Sequence, residues 1–288
     1  MEHLITTDPD SVLISRFKGN FRLQEEGHLD DKVQRLGLSA IVDTETTGVS
    51  AHDTVIELAI QPFAFDRKTG ALLEVFEPFN QLQDPLRPLS EEVKAITGID
   101  DALLKGQSID WQAAAARLEP CDFIIAHNAK FDRPMVHRGF HSAGKKPPRR
   151  PWVCSMSDID WRKEDTRPPS VALGCLAAWY GFFFDAHRAI HDCRATLHLL
   201  DLAGKLSYLA QRSKQPSYIV SASGKVFDQK DMLKERRYGW DGDKKVWWKE
   251  VASAERAAAE RTWMAEFVYA RRADESYALA VSPEERFL

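Results

Sequence analysis

Two acids, Asp43 and Glu45, close the apolar run SAIVDTE, and two more, Asp132 and Asp192, stand far along the chain. Side chains at i and i+2 of a strand emerge on one face, so Asp43 and Glu45 converge on one spot while Thr44 points the other way. Like charges beside apolar residues repel and lose hydration, a cost relieved when cations sit between them. Oxygen-only donors suit magnesium or manganese. A strand ending in acids can equally be a solvated edge, so the pair needs partners. Asp132, in HNAKFD, follows the apolar run FIIA in the first turn of the next helix, where it can cap that helix or join the acids. Asp192 opens a later helix, with His187 upstream on the same stretch, HRAIHD. On one continuous helix that separation turns side chains about 140° apart, so His187 can share a site with Asp192 only from the preceding loop. An imidazole there can take a proton from an attacking water. His191, about 100° from Asp192 on the helix, is expected to face away from the acids.

The elements that must position these groups are legible in the patterning. Residues 1–38 form an N-terminal extension, polar with scattered apolar positions, that packs weakly or makes a short helix. From Ser39 the runs SAIVDTE, TVIELAIQPFAFD and ALLEVFEPF predict three strands in an antiparallel meander, with a hairpin turn at Asp66–Gly70. SEEVKAIT and IDWQAAAARLE predict two helices. CDFIIAHN reads as a buried strand entering a helix through KFDRPMVHRGF, PWVCS as another strand, and SVALGCLAAWYG as a helix. A last helix is expected over Ala189–Lys205. Strands followed by alternation with helices indicate an α/β fold with a sheet of mixed direction, spanning 39–205. Residues 206–215 read as a polar linker, and 216–288 as a small α+β domain with a strand, a helix, a hairpin in YGWDGDKKVWWKEV and a closing helix.

Composition alone excludes little. The chain has 288 residues, 44% of them hydrophobic, and a formal charge of −4, so polyanion binding must come from local basic patches. No apolar run approaches the roughly 20 residues that span a bilayer, and the start lacks a secretory pattern, which predicts a cytoplasmic protein without membrane contact. Cys121, Cys154, Cys175 and Cys193 are scattered without a CxxC pair and are expected to be buried free thiols.

The segments DTETTG (Asp43–Gly48), HNAKFD (His127–Asp132) and HRAIHD (His187–Asp192) stand in the order found in DnaQ-like, DEDDh-type 3'-5' exonucleases. The chain resembles that family, which includes the proofreading epsilon subunit of bacterial DNA polymerase III, over Ser39 to Lys205. The resemblance implies a ribonuclease H-like fold, a mixed sheet flanked by helices. It also implies two divalent cations, Mg2+ or Mn2+, held by Asp43, Glu45, Asp132 and Asp192, with His187 as general base. The products would be nucleoside 5'-monophosphates cut from a nucleic-acid 3' end, with DNA favoured over RNA. An exoribonuclease or oligoribonuclease carries the same motifs, and a polymerase-associated subunit acting mainly by binding a replication or repair protein is a further alternative.

Substrate contacts are expected from Thr46, Thr47 and Gly48, which follow the first acids, and from Lys145, Lys146, Arg149 and Arg150 in the loop GKKPPRRPW. In the C-terminal segment, Trp240, Trp247 and Trp248 beside Lys234, Arg236, Arg237, Lys244 and Lys245 offer base stacking and phosphate attraction, although packing is the expected role for two of the tryptophans.

Overall fold

The computed structural model describes residues 14–21, 35–50, 52–162, 168–270 and 273–288. Contacts divide the chain into two compact units, 1–213 with 287–288, and 214–286.

The first unit opens with a short strand, β1 (Ser15–Arg16), followed by the long pair β2 (Leu36–Thr46) and β3 (Val55–Asp66). The predicted third strand is divided in two, β4 (Leu72–Val75) and β5 (Phe79–Leu82). Pro78, which has no backbone N–H to give to a ladder, lies between them. Both pair antiparallel with β3, which makes the expected meander.

Three helices follow where two are predicted: α1 (Glu91–Thr97), α2 (Asp101–Leu104) and α3 (Trp111–Leu118). Gly98, in the left-handed region at φ 66°, stops α1, and the Asp100 carboxylate accepts from Leu103 N to start α2. The chain continues through β6 (Phe123–Ala126), α4 (Ala129–Ser142), β7 (Trp152–Cys154), α5 (Leu173–Trp179), β8 (Phe182–Phe183), α6 (Ala189–Leu202) and α7 (Leu206–Arg212).

The main sheet runs in the order β4-β3-β2-β6-β7 with β5 also on β3. Strands β2, β6 and β7 are parallel and the meander is antiparallel, so the sheet is mixed and flanked by helices, as the sequence predicts. Both faces are covered, which is why β3 is buried at every position but its last and β2 carries the unbroken apolar run Ala40–Val42. Ile41 and Ala59 face a core shared with Leu197, Leu199 and Leu200 of α6. Ala40, Val42 and Ile60 face the opposite core, with Met135, Val136 and Phe140 of α4.

Two departures from the sequence reading concern the unit's margins. Residues 206–212, read as part of a linker, form α7, whose Leu206 and Leu209 are fully buried at helical spacing and join the core on the α6 side. At the other margin, β1 pairs parallel with β8, and Phe17 and Phe21 pack on the same core. The rest of the predicted extension, 1–13 and 22–34, lies outside the described residues.

The second unit comprises β9 (Ser217–Ala222), α8 (Lys230–Glu235), β10 (Gly239–Asp241), β11 (Val246–Val251), α9 (Ala254–Trp263) and β12 (Ser276–Val281). Its antiparallel sheet has the order β10-β11-β9-β12. The chain was expected to close on a helix, but β12 adds an edge strand after α9. Its run SYALAV, rich in Ala and Leu, favours a helix as readily as a strand and reads as a continuation of the Ala-rich helix before it. Trp247 is buried in this unit's core, whereas Trp240 is 52% exposed. Arg236, Lys249 and Tyr238 all donate to Glu260, so Arg236 is held internally. Among the described residues, no helix is long and apolar enough to cross a membrane, and the four cysteines are free, three buried and Cys175 half-buried.

Candidate active site

The acids gather at the end of the main sheet toward which the parallel strands β2 and β6 both run, the usual place for a ligand site in an open α/β sheet. Alternation along β2 fixes Asp43 and Glu45 on the face covered by α6, and α6 brings Asp192 in its first turn. Oxygens of Asp43, Glu45 and Asp192 lie within 4.8 Å of one another. Opposite Glu45, the ladder slips: Glu45 pairs with Glu57 but Thr46 with Val55, a bulge of the kind that re-aims side chains beside sites.

Asp132 comes from the other side of the sheet, on α4. Its Oδ1 accepts from the backbone N–H of Thr44 at 3.2 Å and from Thr44 Oγ at 2.8 Å. Thr44, which points away from the Asp43 side as the strand period requires, thereby ties Asp132 to the strand carrying the first two acids. Asp132 remains near enough to Asp43 for each charge to be felt across the sheet end.

The electrostatics match a group of acids without counter-ions. Burial first, then Asp132, Asp192 and Glu45, hold the Asp43 carboxyl well above the ordinary carboxylate range. Burial, followed by Asp192, Glu57 and Asp132, pushes Glu45 up to about 8. Burial raises Asp132 to about 7 against the opposing hydrogen bonds from Thr44, and raises Asp192 to about 6 against the pull of His187. Protonated acids and divalent cations are alternative ways of relieving such a cluster, and the oxygen-only donor set fits a hard cation.

His187 lies on the loop before α6, exposed, with φ at 66°, a conformation uncommon for a residue with a side chain. Its backbone N–H donates to Asp192 Oδ2 at 2.9 Å, and that of Arg188 at 3.2 Å. Asp192 thus fastens the loop that carries the histidine. The His191 ring nitrogen Nδ1 pairs with the Asp185 carbonyl at 3.0 Å. His127 is a buried structural residue, bonded to Ser155 Oγ and the Val171 carbonyl, with burial lowering it to about 4.

The predicted substrate contacts divide. Thr46, Thr47 and Gly48 form a braced turn directly after the acids. Thr46 Oγ donates to the Gly48 carbonyl, and Thr47 Oγ donates to Asp53. Asp53 also accepts from Ser50 and Arg87, and these bonds, Ser50's first, hold its carboxyl well below the usual range. A Cβ on Gly48 would stand 2.6 Å from Asp53 Oδ2, so a larger residue there would push the Asp53 carboxylate out of its bonds.

The basic loop is not brought to the site. Trp152, which follows it, is level with Ile124 on β6 and hence with Ala40 on β2, so Lys145, Lys146, Arg149 and Arg150 enter at the sheet end opposite the acids. Arg150 donates to the Glu119 carbonyl at that far end. The sequence places basic residues between motifs but carries no sign of which sheet end their loop occupies.

Sequence reasoning also passed over Glu57. This fully buried acid on β3 accepts from Asn80, from the Arg188 side chain at 3.0 and 3.1 Å, and from the Ala189 backbone N–H. Its signal was present: one acid within the otherwise apolar start of TVIELAI.

A family model described as Exonuclease, RNase_T, matches residues 40–200. The chain belongs to this exonuclease family. The DNA polymerase III PolC-type protein of Halalkalibacterium halodurans is 32% identical over 167 residues, covering 56% of this chain and 11% of that protein. The PolC-type protein of Bacillus cereus is 32% identical over 163 residues, with the same coverage of each. The chain therefore spans about a tenth of the length of these curated relatives. Among solved structures, a zinc-bound E. coli ExoI–ssDNA complex aligns with a TM-score of 0.51 at 16% identity, over 86% of this chain and 64% of that one. This likeness shows a shared fold.

Proposed function

We propose that the chain is a metal-dependent 3'→5' exonuclease that removes nucleoside 5'-monophosphates from the 3' end of DNA. The observation that carries this reading is the meeting of Asp43, Glu45 and Asp192 around one spot, with Asp132 tethered beside them and His187 on the adjoining loop. In this reading Asp43, Glu45, Asp132 and Asp192 would hold two divalent cations, Mg2+ or Mn2+. Bound there, such ions supply an acidified water and charge neutralisation for the leaving oxygen. His187 accepts the proton of the attacking water at an imidazole nitrogen and, being exposed, passes it to solvent. Thr44 holds Asp132 Oδ1 and so ties this acid to the strand that carries Asp43 and Glu45. The braced turn Thr46–Gly48 offers backbone to the terminal nucleotide. The basic loop 145–150 has no part in the reading.

The names of the relatives support DNA as the substrate, and they also favour a setting beside a polymerase, where the activity would remove mispaired 3' ends. Incubating the protein with 3'- and 5'-labelled DNA and RNA oligonucleotides, in Mg2+, Mn2+ or chelator, tests the proposal. Expected are mononucleotides released stepwise from the DNA 3' end, abolished by chelator. Shortening from the 5' end, or digestion that persists in chelator, would refute it. Faster release from a mispaired than a paired 3' terminus is expected for proofreading, and equal rates would count against that setting.

A further inference from the structure

The pair Glu57–Arg188 lies directly beside the acids without belonging to them. Glu57 stands opposite Glu45 across the β2–β3 ladder, an arrangement in which two like charges destabilise the sheet. Glu57 is fully buried, yet it is not available as a further metal ligand. Its Oε1 accepts from Asn80 Nδ2 at 3.1 Å and Arg188 Nη2 at 3.0 Å, and its Oε2 from Arg188 Nε at 3.1 Å and Ala189 N at 3.2 Å. These four donors fill the acceptor sites of an ionised carboxylate. Two of them come from one guanidinium in the forked geometry that fixes orientation as well as charge.

The donors on the other side of the contact matter equally. Arg188 and Ala189 are the residue before α6 and its first residue. The backbone of 187–189 is therefore gripped twice, at His187 N and Arg188 N by Asp192 and at the Arg188 side chain and Ala189 N by Glu57. One grip is to an acid of the site, and the other runs across to β3, the partner of the strand that carries Asp43 and Glu45. His187 sits at the end of this clamp in its left-handed conformation.

We infer that Glu57 and Arg188 are positioning residues that lock the His187–Asp192 segment to β3 and so set the imidazole and the Asp192 carboxylate in register with Asp43 and Glu45. The catalytic part of this inference rests on the exonuclease reading above. The anchoring part does not.

Three variants of the full chain test it: Glu57→Gln, Arg188→Met and the double variant. Arg188→Met leaves the fully buried Glu57 without its counter-ion, so the double variant, which removes both charges, is the one expected to stay folded if either single variant is not; unchanged exchange in segments of β3 and α4 checks this for each. Hydrogen exchange over residues 186–193 in metal-free protein reads the clamp without any reaction. The amides of His187 to Ala189 are expected to exchange at least about tenfold faster in Arg188→Met. In magnesium, kcat on a 3'-labelled oligonucleotide is expected to fall by about 10- to 100-fold, as for other residues that orient a metal site. KM should stay within about threefold, because the pair does not touch substrate. The double variant should lose no more than the worse single one, since both remove one interaction. Wild-type exchange rates at 187–189 in Arg188→Met would overturn the anchor. Faster exchange with unchanged kcat, or multiplicative losses in the double variant, would overturn its role in positioning. An inactive wild-type protein would instead refute the exonuclease reading, while exchange would still decide the anchor.

Discussion

Filling the carboxylate cluster with divalent cations must expel protons, and more of them at lower pH. Glu45 is raised to about 8, Asp132 to about 7 and Asp192 to about 6, and Asp43 is held well above the ordinary range, so the metal-free site holds protons at pH 7 that bound cations would displace. Titrating Mg2+ or Mn2+ calorimetrically into chelator-stripped protein, in buffers of different ionisation enthalpy, measures their number directly. The expected release is at least about one proton at pH 7, more at pH 5 and less at pH 9. The same shifts fix the sign of a stability effect. A carboxyl whose pKa is higher folded than unfolded holds a proton that the unfolded chain has given up, so the metal-free protein loses stability as pH rises from about 4.5 through about 8. Added metal should restore most at the upper end of that window. Metal binding with no proton release at pH 7, or release that grows with pH, would refute this view of the site.

Other consequences can be checked separately. His187→Ala should lower kcat by about 10²- to 10⁴-fold while metal affinity measured by calorimetry stays nearly unchanged; an unaltered kcat would remove it as proton acceptor. Gly48→Ala should raise KM for an oligonucleotide through the clash with Asp53, and a normal KM would show that the braced turn does not meet substrate. Replacing Lys145, Lys146, Arg149 and Arg150 together by Ala should leave KM within about twofold, because their loop is at the far sheet end. Asp158→Ala should destabilise the first unit by about 3 to 5 kcal/mol in denaturant unfolding, since it removes the carboxylate paired with the Arg212 guanidinium inside the protein; both side chains are nearly inaccessible and pair at 3.0 Å.

The mixed α/β architecture was legible because β2, β3 and β6 are apolar on both faces and the intervening helices carry their own start and stop residues. What escaped depended on long-range packing. Residues 206–212 look like a polar connection until Leu206 and Leu209 are seen to fill the core beside α6. The strand β12, SYALAV, carries Ala and Leu that suit a helix equally and becomes a strand only by pairing with β9. At the site, Asp43, Glu45 and Asp192 stood out through spacing and position at element ends, and the fold brings them together. Local pattern could not tell that Asp132 is tied to Thr44 on the neighbouring strand. Nor could it tell that the acid within the apolar start of β3 is neutralised by an arginine more than a hundred residues away. Both facts depend on which strands lie side by side, which single-segment patterns do not encode.

A crystal of the protein soaked in Mn2+, with anomalous scattering collected near the manganese edge, tests the account most directly. Peaks bounded by the carboxylates of Asp43, Glu45 and Asp192 are expected, lost when Asp43 is replaced by Asn. An empty cluster in crystals of protein that still shortens oligonucleotides in Mn2+ would contradict it.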